Sequence, residues 1–267
     1  MKRMVAVALL VPGIAVADPE HFVTIDRQDD SSRAGAELSY IFLPNNANGT
    51  AMRFDVHGQY VDPVSGVGGY VSVPFGYISG GNMSDEALAD IEAGAIYAVR
   101  LANPDTKLIL HAGLTLPTEK NSTTSEEIGV IGALSRLSDF YQSIPEGTSL
   151  RLGVSPIVRS GQLFARADLG LDVNFSDSQS QSAAKVVRLQ AGAGVDFGQA
   201  AVMVESTNLL VTANNGGKDV WVDTGAISAR FDAGSVYPYA AFVLALDDES
   251  QQLMDEALTV GIEGKLR

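Results

Sequence analysis

The stretch Met52-Arg-Phe-Asp-Val-His-Gly-Gln-Tyr-Val61 puts Met52, Phe54, Val56, Gly58 and Tyr60 on one side of an extended chain and Arg53, Asp55, His57 and Gln59 on the other. Side chains alternate across a strand, so this run is apolar on one face and polar on the other, whereas a helix would scatter both sets. The pattern recurs. Ala36, Leu38, Tyr40 and Phe42 oppose Glu37 and Ser39, and Leu108, Leu110, Ala112, Leu114 and Leu116 oppose Lys107, His111 and Thr115. Leu150, Leu152, Val154, Pro156 and Val158 oppose Arg151, Ser155 and Arg159, while Leu163, Ala165, Ala167, Leu169 and Leu171 oppose Arg166, Asp168 and Asp172. Val187, Leu189, Ala191, Ala193, Val195 and Phe197 oppose Arg188, Gln190 and Asp196. Less strict segments lie near 67–77, 91–101, 200–207, 221–231, 236–246 and 257–266, and 236–246 is apolar or aromatic on both faces.

That makes about twelve segments of about ten residues, longer than the five to six typical of soluble strands and matched to the nine to eleven of a tilted strand crossing a bilayer. The connections give an independent test. Long ones (44–51, 78–90, 117–149, 174–185, 208–219, 247–256) alternate with short ones (around Asp62-Pro63, 102–105, Ser160-Gly161, Gly198-Gln199 and 232–235). Short inner turns and long outer loops characterise transmembrane barrels. The expectation is an all-β fold: an up-and-down antiparallel transmembrane β-barrel of about 12 strands. Tyr40, Phe42, Phe75, Tyr77 and Trp221 then stand at outer strand ends, and Tyr60, Phe197 and Phe231 at inner ends, all on the lipid face as an aromatic girdle. A soluble β-sandwich or lipocalin-like barrel is the alternative, but it does not account for that placement.

Composition agrees. The 267 residues are 46% hydrophobic, yet no run reaches the 18 or so apolar residues of a membrane helix. With 18 Lys+Arg against 32 Asp+Glu the formal charge is −14, which argues against a nucleic-acid partner, and the absence of Cys excludes disulfides and thiol chemistry. Lys2 and Arg3, the apolar run Met4 to Val11 and Ala15-Val16-Ala17 have the layout of a secretory signal peptide over 1–17. Residues 18–32 are expected to be a periplasmic N-terminal segment, and 33–267 the barrel. The alternation Leu258, Val260, Ile262, Leu266 suits a strand presented to the outer-membrane assembly machinery, although Arg267 stands where such barrels usually carry an aromatic.

If the apolar faces meet lipid, the lumen is lined by Arg53, Asp55, His57, Glu92, Arg100, Lys107, His111, Arg151, Arg159, Arg166, Asp168, Arg188, Asp196, Glu205 and Arg230. Two readings stand: a structural lattice of ion pairs, or a polar path for a small solute whose identity the sequence does not disclose. In the connection 117–149, Ile128, Ile131, Leu134, Leu137 and Tyr141 recur at helical spacing behind the capping box Thr124-Ser-Glu-Glu127. This predicts an amphipathic helix of about four turns, either folded into the mouth as a constriction or lying at the outer interface, with a surface loop as the alternative. The acidic outer loops (Asp85-Glu86, Glu126-Glu127, Asp247-Asp248-Glu249, Asp255-Glu256) are solvated charge, or bridge through divalent cations to outer-membrane lipid and lipopolysaccharide.

Enzyme signatures are weak. The three histidines are His21, His57 and His111, and no serine motif accompanies them as a barrel lipid hydrolase would need. No phosphate loop or dinucleotide fingerprint is present, and neither cofactor nor metal is expected. Asp90-Ile-Glu-Ala-Gly-Ala-Ile-Tyr-Ala-Val-Arg-Leu101, with Leu110-His-Ala-Gly-Leu-Thr-Leu-Pro-Thr-Glu119 after it, resembles the transporter-like Gram-negative outer-membrane barrels of the "MetA-pathway of phenol degradation" family. The resemblance covers about thirty residues of strand pattern. It implies an outer-membrane protein admitting small, hydrophobic compounds, and it carries no residue-level role. The leading expectation is a passive channel for small solutes. The second is a structural or surface-interaction barrel with a closed, ion-paired lumen.

Overall fold

The computed structural model describes residues 21–44, 49–80, 83–118, 132–143, 148–175, 183–213 and 218–266. Its strands are β1 (Arg33–Phe42), β2 (Gly49–Val61), β3 (Val67–Gly80), β4 (Met83–Leu88), β5 (Ile91–Arg100), β6 (Thr106–Leu116), β7 (Ser149–Ser160), β8 (Leu163–Asn174), β9 (Ala183–Asp196), β10 (Ala200–Ala213), β11 (Val220–Phe231), β12 (Val236–Ala245) and β13 (Glu256–Lys265). Each strand except β4 pairs antiparallel with its successor, and β1 pairs with β13 from Arg33↔Lys265 to Phe42↔Glu256, so the sheet closes on itself. β4 and β5 are two halves of one stave. Phe75–Gly80 of β3 pairs with β4, and Val67–Ser72 pairs with β5. The break falls at Ala89 and Asp90, opposite Pro74, which has no N–H for the ladder. The result is a closed, up-and-down, 12-stranded antiparallel barrel.

Its polarity is inverted relative to a soluble protein. In β2, Arg53, Asp55, His57 and Gln59 are at most 6% exposed, while Phe54, Val56 and Tyr60 are 41–56% exposed. Polar groups point into the lumen and apolar groups point out, as a hydrocarbon solvent requires. Segment 236–246 is apolar on both faces because β12 lines two apolar clusters inside the lumen. Tyr239 and Ala241 pack there with Phe22, Phe164 and Met203, and Val243 and Ala245 with Leu134, Leu137 and Tyr141.

Short turns close the inner end. Gly66 adopts φ 75° there and its N–H donates to Asp62 O at 2.8 Å, a left-handed conformation that a side chain would strain. At the outer end several strands run into stretches that alternation assigned to loops: β3 reaches Gly80, β10 reaches Ala213, and residues 83–88 of the expected loop 78–90 are strand β4. Ladder hydrogen bonds persist beyond the point where the apolar alternation fades, since the backbone needs partners whatever the side chains do.

Two segments depart from the expectations more substantially. Residues 21–29, read from the sequence as part of a periplasmic segment, are buried inside the barrel. The connection between β6 and β7 turns inward too. Among the described residues, 132–135 make one helical turn and Leu137–Ser143 a 3-10 helix kinked at Asp139 (φ −102°, ψ 23°), an interrupted run in place of the continuous helix expected. Its capping box, 124–127, lies outside the described residues. Leu134, Leu137 and Tyr141 of the predicted stripe pack against Ile41, Ala51, Val186 and Leu209 of the inner wall.

Candidate functional site

The lumen is filled by the N-terminal segment from below and the β6–β7 connection from above. Glu205 on β10 holds the segment by its backbone, its carboxylate accepting N–H bonds from Val23 (3.2 Å), Thr24 (2.6 Å) and Ile25 (3.3 Å) and the Thr24 hydroxyl (2.9 Å). Gln190 Oε1 accepts from the Asp26 N–H at 2.8 Å, and the Gln28 carbonyl accepts from Arg166 Nη2 at 2.9 Å. Phe22, Val23 and Ile25 fill the apolar patch made by Phe164, Ala201, Met203 and Tyr239.

Adjacent side chains then cross the lumen in opposite directions. The Asp26 carboxylate meets Arg151, Arg188 Nη2 (3.4 Å) and His111 Nε2 (3.0 Å) on the β6, β7 and β9 side. Arg27 meets Glu37 (2.6 Å) and Asp55 (3.4 Å) on β1 and β2, and Asp139 (2.9 Å) of the connection. Asp29 pairs with Arg33 and accepts from Gln59 at 2.7 Å. His21 sits 3.2 Å from Glu263 and 3.7 Å from Asp29. Its surroundings exclude water, and this desolvation, followed by the nearby Arg33 charge, pushes its pKa down to about 4.

The inward connection is fastened to the same elements. Arg136 donates to the carbonyls of Val23 and Ile25, the latter at 3.0 Å, and pairs with Asp139 at 2.9 Å. Asp139 also meets Arg53 (3.0 Å) and Arg151 (3.3 Å), and Gln142 donates to Glu92 at 2.8 Å. Each closing element therefore holds the other as well as the wall.

Of the lumen residues expected from the sequence, Arg53, Asp55, His57, Glu92, His111, Arg151, Arg166, Asp168, Arg188, Asp196, Glu205 and Arg230 are buried on the inner face. Lys107 and Arg159 are half-buried nearer the inner end, where they meet Asp30 and Asp196. Arg100 does not line the lumen: it is exposed at the last residue of β5 and bonds the Pro63 carbonyl of the neighbouring turn. Tyr40, Phe42, Tyr60, Phe75, Tyr77, Phe197, Trp221 and Phe231 are all outward, 36–63% exposed. Sequence reasoning omitted Glu37, Asp172 and Glu263, although their alternation marked the inner face. It also omitted Asp26, Arg27, Asp29, Arg136 and Asp139, which lie outside any strand pattern.

Asp26, His111 and Asp168 bring ligand-type atoms within 4.8 Å of one another. Arg151 and Arg188 already contact Asp26, and Arg166 contacts Asp168 at 2.9 Å, so these carboxylates are neutralised by fixed cations. The group is a poor place for a metal ion.

This chain is similar in fold to solved outer-membrane barrels. Against the COG4313 outer membrane channel from Pseudomonas putida F1 it aligns with a TM-score of 0.63 at 10% identity, over 94% of this chain and 99% of that one. Against the KdgM porin the TM-score is 0.52 at 10% identity, over 87% of this chain and 99% of that one. No family model matches the sequence, and no curated protein matches it either. The likeness to the "MetA-pathway of phenol degradation" barrels therefore rests on the strand pattern of residues 90–119 alone.

Proposed function

We propose that this chain is an outer-membrane channel for small solutes, closed in the present state by its N-terminal segment and its β6–β7 connection. The observation that carries the reading is the chemistry of the closure. A lumen meant only to be solid could be filled by wall side chains, as in small barrels. Here it is filled by a terminal segment, tied to the wall at one end where Ser32 leads into β1, and held through ion pairs and hydrogen bonds that water can replace. The fold likeness to a channel and a porin supports the same reading.

The outward apolar belt with aromatics near both rims is suited to an outer membrane, with lipid and lipopolysaccharide as its surroundings and the barrel assembly machinery as its route in. The density of buried ion pairs favours one second reading, a structural barrel that never opens. Planar-bilayer recording separates the two. The channel reading expects stepwise conductance from the refolded protein that increases when the Glu205 clamp is removed. Absence of conductance in both proteins, across salts and voltages, overturns it. No step here calls for a catalytic group: His21 and His57 each meet Glu263, and His111 meets Asp26.

A further inference from the structure

We propose that Arg151, Arg188 and His111 form a carboxylate-binding station in the lumen, occupied here by Asp26 and free to take the carboxylate of a small organic acid when residues 21–29 withdraw. The inference rests on the channel reading and names its solute class. Asp26 belongs to no strand, whereas its three partners belong to β6, β7 and β9, so the binding groups stay with the wall when the segment leaves. Two guanidinium groups, each through one nitrogen, and an imidazole nitrogen converge on the two oxygens of one buried carboxylate, so its charge is met by two fixed cations and a third polar group.

The station is also prepared independently of Asp26. Arg151 is steadied by Glu92 at 3.1 Å, and Arg188 by Asp172 and by the Leu152 carbonyl at 3.2 Å. Gly153 lies against the His111 ring and Gly170 against the Arg188 guanidinium, where any side chain would collide with the head group. Among the described residues Arg151 Nε and Arg188 Nε are buried with no hydrogen-bond partner, so donor capacity beyond that used by Asp26 is available. The opposite wall takes the opposite charge, since Glu37 and Asp55 receive Arg27. A bare acid is thereby directed to the β6, β7 and β9 side.

Chemical rescue tests this with the full chain. Asp26→Ala removes the carboxylate and leaves a space about the size of formate. Formate and acetate are expected to raise the temperature at which the folded, heat-modifiable gel band of Asp26→Ala is lost by a few degrees, with no effect on wild type. Acetamide and sodium chloride at equal concentration should do nothing, and Asp26→Ala with Arg188→Gln should lose the response. If Asp26→Ala fails to refold, the same salts added during refolding become the readout, and carboxylates alone should restore the folded band. Carboxylates acting no better than acetamide or chloride, in either format, overturn the proposal. The readout needs no conduction: rescue in a protein that never conducts refutes the channel and keeps the station, and conduction without rescue does the reverse.

Discussion

Glu205→Ala isolates the clamp on the N-terminal segment. The Glu205 carboxylate accepts three backbone N–H groups and the Thr24 hydroxyl, and it takes the Ser228 hydroxyl from the wall. A hydrogen bond to a charged group contributes about 1.5–3 kcal/mol, and a buried donor stripped of its partner costs about 1–3 kcal/mol. These terms do not add, because removing the side chain leaves room for water and because a free Glu205 also carries a desolvation cost in the closed state. A net weakening of the docked segment by about 2–4 kcal/mol follows, which shifts the docked-to-released ratio by about 30- to 700-fold. The variant should keep its heat-modifiable band, since the strand ladders are untouched, yet show a higher open probability in bilayers and faster protease cutting after Arg27. A folded Glu205→Ala barrel whose current and N-terminal cutting match wild type would refute the reasoning.

Asp139→Ala removes ion pairs with Arg27 (2.9 Å), Arg136 (2.9 Å) and Arg53 (3.0 Å) and strands buried cations, so the closure should weaken by about 3–5 kcal/mol. Larger single-channel steps are the expected reading, and unchanged steps in folded protein would count against the inward connection as a constriction. His21 gives a pH dependence. Docked, it titrates near 4, and released it titrates near the ordinary 6.5. The released state therefore binds more protons between those values, so closure is strongest above about 6.5 and weakens as pH falls toward 4. Open probability should rise over that window and flatten in His21→Phe; an undiminished acid response in His21→Phe would contradict this. Phe54→Arg places a charge outward in the middle of β2, and the folded barrel should lose about 2–4 kcal/mol if that position faces hydrocarbon. Urea titration of refolded protein in vesicles gives the number, and a loss near zero would place Phe54 outside the membrane core.

The barrel was legible because a lipid-facing surface forces a two-residue period on most staves, and Met52 to Val61 already shows it whole. Ile41, Ile109 and Ile157 are apolar residues in the inner phase, and alternation alone could not say what they meet. In the structure Ile41 packs with the inward connection, and Ile109 and Ile157 pack with Val61, Tyr70 and Ile96. The helical stripe was legible in Leu134, Leu137 and Tyr141, but the kink at Asp139 was not. That residue answers to four arginines from three other elements and its own turn, a tertiary demand that outweighs local propensity. The closing segment was least legible. Thr24, Asp26, Arg27 and Asp29 read as ordinary polar tail, and only a lumen that presents Glu205, Arg151 and Arg33 to them gives them a place.

The charges of the closing segment take on a mechanical sense in that lumen. Burying a charge is costly unless it is paired, and a pair built entirely from wall residues would be permanent. Asp26, Arg27 and Asp29 take their wall partners across a boundary between wall and segment, so those pairs last only while the segment is docked. Release moves these three charges into water, where solvation replaces the lost pairs, and it leaves the wall with the pairs that are its own, Arg151 with Glu92, Arg166 with Asp168 and Arg188 with Asp172. Several wall charges thus keep a partner in both states, while Glu205, Glu37 and Asp55 lose the partners the segment supplied and would take water in their place. An all-apolar closure would lack this property, because its exposed face would have no partner in water. The charged segment suits a lumen that is both sealed and emptied, as the proposed channel would be.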